Sequence, residues 1–330
     1  MEEKRALLVL WTTGRCNLRC RYCYAADKPG GDMDWETARR AIDRLQGTPF
    51  RIQFAGGEPT LNLALMERVA EYVAGRGVPM AVQTNAAALT DRCVELIRRH
   101  AIAVGVSLDG KPAVNEKLRG DTKRVIEGIL RLREAGIMVN LNAVVTQENV
   151  RELPELAGLV AYLGNVRGIG LDLLRRSGRA IRPGAPEVAE RGQIAEMLRK
   201  LHARIERMNR ILPQPIRLRE VEEARRRLRE NRECGAYCYA SMGWSWVVLP
   251  DGEVYPCGSL AGDARYRMGN VRGEIRPVIL PQSKQEKCES CEYERICPGG
   301  CPSRALLCGG FSPQDCALRR AAFEIAEKEM

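Results

Sequence analysis

Thr12-Thr13-Gly14-Arg15-Cys16-Asn17-Leu18-Arg19-Cys20-Arg21-Tyr22-Cys23-Tyr24 decides how the rest of this chain is read. The apolar run Ala6–Trp11 leads straight into it and has the look of a buried strand. Three thiolates on one short loop can hold three irons of a four-iron cubane, which leaves the fourth iron without a protein ligand. An open metal position is a place for a substrate or cofactor to bind. Zinc is the competing occupant, but zinc sites usually pair two close ligands with a distant second pair. Here three thiols come together, no His is near, and Tyr22 precedes the last cysteine. A disulfide reading suits the loop less, because no secretory segment precedes it.

Outward from the loop, strand and helix patterns alternate to about Asn209. Strands are expected at Leu7–Trp11, Arg51–Ala55, Pro79–Gln83, Ala103–Leu108, Met138–Val145 and Gly168–Leu173. Helices are expected at Asp34–Leu45, Leu61–Ala74, Thr90–His100, Thr122–Ala135, Val150–Leu163 and Pro186–Asn209, with Asp34 and Thr90 as N-caps and Gly75, Gly77 and Gly136 as stops. Apolar strands each followed by a helix require a parallel sheet. Six such units predict an α/β fold, a partial (β/α)6 barrel of the TIM type left open for want of two more. In such sheets function gathers at the carboxyl ends of the strands. The Cys16–Cys23 loop, Gly56-Gly57-Glu58-Pro59, Gln83-Thr84-Asn85 and Ser107-Leu108-Asp109-Gly110 all fall there.

Cys16-X3-Cys20-X2-Cys23, with Tyr22 before the last cysteine, resembles the cluster loop of the radical S-adenosylmethionine (SAM) superfamily. The resemblance implies a [4Fe-4S] cluster on Cys16, Cys20 and Cys23, whose open iron is chelated by the SAM amino and carboxylate groups. It implies reductive cleavage of SAM to a 5′-deoxyadenosyl radical that takes hydrogen from a substrate, an oxidoreductase chemistry in which the protein orients the cofactor. Gly56-Gly57-Glu58-Pro59 resembles the family's SAM-binding turn, so Gly56, Gly57 and Glu58 would border the methionyl group. By the same resemblance Ser107 and Asp109 would meet ribose and carboxylate, Arg119 the SAM carboxylate, and Tyr22 would lie near adenine; Asn85 and Asn142 are further cofactor candidates. Each also reads as a capping or turn residue, and Tyr22 as packing for the loop.

Past Asn209 the pattern breaks at Ile211-Leu212-Pro213-Gln214-Pro215. The expected organisation is a core over 1–213, a connector with a charged helix over 214–233, and a cysteine-rich unit over 234–330. Trp244–Leu249 and Glu253–Pro256 flank Pro250-Asp251-Gly252, a hairpin signal. Cys234, Cys238, Cys257, Cys288, Cys291, Cys297, Cys301 and Cys316 could make structural zinc sites or two fully ligated four-iron clusters. The arrangement resembles the SPASM extension of radical SAM enzymes. That resemblance implies one auxiliary cluster on Cys234, Cys238, Cys257 and Cys301 and another on Cys288, Cys291, Cys297 and Cys316, three clusters in all. Spacing alone lets Cys308 stand in for Cys316. Cys93 falls in an amphipathic helix and reads as core.

Thirteen cysteines without a secretory segment or a long apolar stretch imply a reduced, cytoplasmic, metal-binding chain with no membrane partner. The formal charge is +10, which three clusters would lower by roughly 5. The basic excess between Arg191 and Arg232 is interleaved with Glu220, Glu222, Glu223 and Glu230 and reads as a solvated helical face, so nucleic acid is not an expected partner.

SPASM enzymes mostly modify peptides or proteins, which makes a peptide or protein the first expectation for substrate; a tetrapyrrole of the haem pathway or another small molecule is the alternative. An external electron donor such as ferredoxin or flavodoxin follows from the resemblance. The first strand begins near Ala6, so a leader peptide would need a separate recognition protein or direct docking. Sulfatase-maturating members carry an acidic base after the cysteine of the Gly-X4-Cys element, where this chain has Gly258. Only His100 and His202 occur, both in helix patterns, and no catalytic acid or base is assigned. A scaffold that has lost its chemistry is disfavoured by the intact Cys16–Cys23 loop and Gly56–Pro59 turn.

Overall fold

A computed structural model describes residues 5–28, 30–285 and 288–330. Strands β1 (Ala6–Thr13), β2 (Phe50–Gly56), β3 (Met80–Thr84), β4 (Ala103–Ser107), β5 (Val139–Val145) and β6 (Val166–Leu173) pair in parallel, each with the next. The intervening helices are α1 (Trp35–Asp43), α2 (Leu63–Tyr72), α3 (Asp91–Arg99), α4 (Pro112–Leu118), α5 (Thr122–Glu134) and α6 (Leu156–Leu163), and α7 (Arg191–Asn209) follows β6. Asp34 caps α1 by accepting the Thr37 N–H, and Thr90 caps α3 by accepting that of Cys93. The helix after β5 starts six residues later than Val150, because Pro154 lies in a 3-10 turn over Leu153–Glu155. The last core helix starts at Arg191 rather than Pro186.

The expected connector holds a seventh strand, β7 (Arg217–Leu218), which pairs in parallel with β6 ahead of α8 (Arg219–Glu230). The expected hairpin is β8 (Ser245–Val248) and β9 (Glu253–Tyr255). It is also part of the core sheet, since β8 runs parallel to β1 with Leu7 opposite Ser245 and Leu10 opposite Val248. With β10 (Gly269–Asn270), the sheet has ten strands in the order β10-β9-β8-β1-β2-β3-β4-β5-β6-β7 and is not closed. Two further helices, α9 (Pro302–Leu307) and α10 (Pro313–Glu327), complete the chain. No helix among the described residues is long and apolar enough to cross a membrane.

Side chains alternate across each strand. One face carries Leu8, Leu10, Ile52, Phe54, Val82, Val104, Val106, Leu141, Ala143, Ile169 and Leu171, all buried in the main apolar core with the helices. The other, concave face differs along the sheet. At the β8–β1 end it carries Val9, Trp11 and Val247, packed with Tyr24, Tyr255 and Ala261. From β2 to β7 it carries Arg51, Gln53, Gln83, Gly105, Ser107, Asn140, Asn142, Gly168, Gly170 and Arg217, placed side by side by the strand register. A closed TIM barrel fills this space with bulky branched residues; here the face is small and polar, and Gln83, Asn142 and Arg219 lie over Gly105 and Gly170.

Candidate metal and cofactor site

The Cys16–Cys23 loop leaves the carboxyl end of β1 and is held there by its own backbone. Gly57 N–H donates to Thr13 O and Glu58 N–H to Arg15 O, both at 2.8 Å. Thus the Gly56-Gly57-Glu58 turn lies directly on the loop. A Cβ on Gly57 would stand 2.2 Å from Arg15 O, and one on Gly56, whose φ is +140°, would stand 2.3 Å from Thr13 O. The two glycines are required by this close approach. On the other side Gly178 packs equally tightly, 2.4 Å from Cys23 O for an added Cβ, while Arg179 donates its N–H to Cys23 O and its guanidinium to Cys20 O. Thr13 and Arg15 both donate to Asp32, and Arg21 to Glu148.

Glu58 is buried and fully engaged: Oε1 accepts from Thr60 and Thr84 hydroxyls at 2.6 and 2.7 Å, and Oε2 accepts the Asn85 N–H at 2.7 Å. Burial pushes its carboxyl above the ordinary range, and these hydrogen bonds oppose the shift. Asn85 turns its side-chain amide to Asn17 Oδ1 at 2.9 Å and to Cys16 Sγ at 3.8 Å. Gly56, Gly57, Glu58 and Asn85 therefore gather at Cys16.

A second group forms beneath Cys20. Asp109, fully buried, accepts the Tyr22 hydroxyl and the Val144 N–H, and lies 2.9 Å from Arg119 Nε. The Arg119 guanidinium also sits 5.4 Å from the Tyr22 ring centroid. Tyr22, Asp109 and Arg119 thus form one buried cluster in which Arg119 is already matched by a carboxylate. Ser107 lies elsewhere, in a polar ladder: Gln83 donates to Ser107, Asn142 to Gln83, and Arg219 to Asn142.

The loop suits an iron–sulfur cluster by its donors. Cys16, Cys20 and Cys23 are free thiols, and Cys23 is close enough to push up the pKa of both Cys16 and Cys20. Burial is the larger cause, taking Cys20 up to about 11. Cys16 Sγ faces the Leu18 N–H at 3.5 Å as well as the Asn85 amide. Hydrogen-bond donors turned toward sulfur match a thiolate ligand.

Among the remaining cysteines, two sets of like-charge neighbours show. Cys301 is a like-charge neighbour of Cys238, and Cys297 is one of Cys316 and Cys291. Cys93 is buried in α3, where burial raises its thiol to about 12. Cys308 is exposed at the end of α9. Between the Cys23 loop and Cys257 stand two rings, Trp11 and Tyr24, edge to face with centroids 6.3 Å apart. A Cβ on Gly258 would lie 3.3 Å from Trp11 and 3.7 Å from the Tyr24 hydroxyl, so both rings wall that position.

Several neighbours of the site carry no sequence signature. Arg175, just after β6, pairs with Asp172 and reaches Cys301 Sγ at 4.0 Å. Arg227 on α8 donates to Cys234 Sγ. Arg179, Glu148 and Asp32 hold the loop from distant parts of the chain. Their partners are set by folding, and no local pattern marks them.

Comparison with known proteins places these features. A model of the radical SAM superfamily matches residues 12–160. The chain is 30% identical to an uncharacterised protein of Methanocaldococcus jannaschii over 298 residues, 87% of this chain and 95% of that one. It is 27% identical to an AdoMet-dependent heme synthase of Methanosarcina barkeri, covering 92% and 93%, and 27% identical to a serine-type anaerobic sulfatase-maturating enzyme of Klebsiella aerogenes, covering 90% and 80%. Among solved structures, anSMEcpe with bound AdoMet and Kp18Cys peptide has a TM-score of 0.81 at 20% identity, covering 98% of this chain and 97% of that one. At that identity the likeness is one of fold.

Proposed function

This chain belongs to the radical SAM superfamily, and on that premise we propose that it modifies a peptide or protein by hydrogen abstraction. Cys16, Cys20 and Cys23 hold the SAM-binding [4Fe-4S] cluster, which, when bound, supplies the electron that cleaves SAM to the 5′-deoxyadenosyl radical. Gly56, Gly57 and Glu58 present backbone groups to the SAM methionyl end, and Asn85 orients Cys16. Asp109 and Arg119 fix the loop through Tyr22, and Ser107 of β4 belongs to the polar ladder with Gln83 and Asn142. The observation that carries this reading is the docking of the Gly56–Glu58 turn on the cysteine loop through two backbone hydrogen bonds. It sets the glycine turn against the loop that carries three free thiols.

Two auxiliary clusters belong to the same reading: Cys234, Cys238, Cys257 and Cys301 hold one, and Cys288, Cys291, Cys297 and Cys316 the other. The like-charge neighbours Cys238–Cys301 and Cys297–Cys316 support that division and favour Cys316 over Cys308. The fold of anSMEcpe, whose structure holds a peptide, supports a peptide substrate. Gly258, walled by Trp11 and Tyr24, leaves no acidic base beside Cys257 and argues against sulfatase maturation. A ferredoxin or flavodoxin fits the role of electron donor, and a separate recognition protein that of leader-peptide partner.

A tetrapyrrole substrate is the second reading. Full-length relatives include AdoMet-dependent heme synthases.

Anaerobic reconstitution should yield roughly twelve irons per chain, and Ala at Cys16, Cys20 and Cys23 together should remove about four. Reduced holoenzyme is then incubated with SAM and fractions of host extract, reading 5′-deoxyadenosine above background. Stimulation by a protease-sensitive fraction supports a peptide. Stimulation only by a protease-resistant, tetrapyrrole-bearing fraction selects the second reading, and no cleavage at full iron content overturns the radical mechanism.

A further inference from the structure

The electron that reduces the cluster of the reading above has to reach the chain from outside, and the exposed side of the Cys16–Cys23 loop is cationic. Arg15 and Arg19 are exposed and Arg21 is half-buried. No acidic residue stands between Thr12 and Ala26. Two other segments are bonded to the loop and add to this surface. Arg21 donates its backbone N–H to Leu118 O at the end of α4, which brings Lys117 alongside. The stretch from Gly178 to Gly184 is pinned by Arg179 on Cys20 O, by Arg182 on Asp27 and by the Arg21 guanidinium on Gly184 O. The next acidic residue of that stretch is Glu187, past the last of these pins.

Cations outnumber carboxylates in this bonded group. Asp32 meets Arg15, Asp27 meets Arg182, and Glu148 meets both Arg21 and Lys117 at 2.8 Å. Three carboxylates thus answer four cations, and Arg19 and Arg179 stand on the same surface. The groups are open to a partner: the side chains of Lys117, Arg15 and Arg182 are 64%, 57% and 55% exposed. Exposed ion pairs of this kind are weak, so a partner's carboxylates can exchange for the chain's own. Beside Arg182, Ile181 is 62% exposed, an apolar side chain set among cations. A folded partner that matches the surface carries carboxylates around a small apolar contact.

We propose that this surface, formed by residues 15–28, the end of α4 and residues 178–184, is the docking site of an acidic one-electron carrier protein that reduces the cluster on Cys16, Cys20 and Cys23. The inference rests on the proposed cluster and deepens that reading by placing its donor. In each encounter the reduced carrier is oxidised by one electron and the cluster reduced by one, and no bond is made or broken. Arg15, Arg19 and Arg21 each adjoin a ligand cysteine in the chain, so a carrier seated on them lies against the segment that bears the ligands. An acidic leader peptide is the competing occupant; the position of the cations on the ligand-bearing loop itself favours the carrier. Opposite charge speeds such an encounter, and salt slows it.

The test measures binding and electron transfer separately on reconstituted holoenzyme, with a flavodoxin and a ferredoxin, both acidic, as probes. At least one should bind, with a Kd that weakens as salt is raised. Arg19→Glu combined with Lys117→Glu should weaken that Kd about tenfold, through slower association. Ile181→Ser should speed dissociation, and Arg99→Glu, exposed at the end of α3 before the amino end of β4, should do neither. Binding should slow hydrogen exchange in 15–28 and 178–184. Carrier-driven reduction of the cluster, followed by EPR, should fall in step with binding, while dithionite reduces parent and Arg19→Glu/Lys117→Glu protein alike at equal iron content. No binding of either carrier, substitutions that act no more than Arg99→Glu, or protection confined to residues beyond 234 overturns the proposal. A poly-glutamate peptide that binds here when neither carrier does overturns it in favour of a peptide. No SAM cleavage with dithionite at full iron content is a separate failure, that of the radical reading itself.

Discussion

At the scale of single residues, the loop is held by contacts that leave no room for change. Gly57→Ala puts a methyl group 2.2 Å from Arg15 O, and backbone cannot step aside as a flexible side chain would. The clash should cost about 1–3 kcal/mol in overpacking and displace the loop, so the expected result is a lower thermal midpoint together with loss of about four irons. Retention of full iron and of SAM binding would show that the turn does not carry the loop. Asp109 presents a different balance. Asp109→Asn leaves Arg119, nearly buried, without its counter-charge, which should cost about 3–5 kcal/mol. Pairing it with Arg119→Met removes the stranded charge and should recover much of that loss in a urea melt; equal deficits in the single and double variants would mean the pair is not coupled. The resemblance marked Gly56, Gly57, Glu58, Tyr22, Asp109 and Arg119 as cofactor candidates, and the strand pattern alone placed the Gly56–Glu58 turn and Asp109 after the ends of β2 and β4. Neither announced that Asp109 and Arg119 satisfy each other, because a pairing across the whole of α4 has no periodic signature. Arg175 and Arg227 were invisible for the same reason, being ordinary arginines until folding sets them beside sulfur.

At the scale of elements, legibility followed length. The strands β2 to β5 alternate a buried apolar face with a more open, mostly polar one over five to seven residues, and β1 and β6 read as apolar runs, which is enough pattern to read. β7 and β10 have two residues each, too few for any pattern. The β8–β9 hairpin showed in its Pro-Asp-Gly turn, but the partner of β8 did not, since a parallel neighbour more than two hundred residues away leaves no local mark. Helix α10 carries a signal in the sequence of its own: Ser312 caps it with Pro313 in its first turn, and Leu318, Ala321, Ala322, Phe323 and Ile325 are buried. It is tied to α8 by Glu223, which accepts from Arg319 at 2.9 Å and Arg227 at 2.7 Å. Burial alone would raise the Glu223 carboxyl, but the two arginines more than offset it and hold it at about 2. A depressed folded-state pKa contributes stability above the unfolded value, about 4.3, that is lost as pH falls toward 2. Glu223→Gln should therefore be less stable than the parent by a few kcal/mol, with a gap that is constant from pH 8 to about 5 and narrows below. Urea unfolding across that range reads the gap, and one that widens on acidification would contradict the assignment.

At the scale of the whole molecule, the sheet does not close, and the C-terminal residues fill the break. One end of the sheet is extended past β1 by β8, β9 and β10. Next to the other end, which is β7, the carboxyl end of β6 is met by Arg304 of α9, which donates to Asp172 Oδ1 at 2.7 Å and to Leu173 O at 3.1 Å while pairing with Asp315 of α10. The cysteines of the proposed first auxiliary cluster divide in the same way. Cys238 and Cys257 flank the β8–β9 hairpin beside β1, whereas Cys301 caps α9 beside Arg304 and Arg175. A cluster shared by these thiols joins the two ends of an open sheet, which gives it a structural part alongside any redox one. Arg304 is then the protein's own clasp, and its removal separates the two contributions. Arg304→Met strands Asp315, which is as buried as its partner, at a cost of about 3–5 kcal/mol. In holoenzyme, hydrogen exchange should quicken in α9, α10 and the last turns of backbone around Leu173, while β2 to β4 stay protected. If the cluster shares the load, iron content stays near twelve and the quickened exchange is modest; chelating the iron from this variant, but not from the parent, then releases the whole C-terminal segment. Protection in α9 and α10 that is indifferent to both the substitution and the chelator would mean that neither clasp holds, and that α10 is kept in place by its packing on α7 and α8 alone.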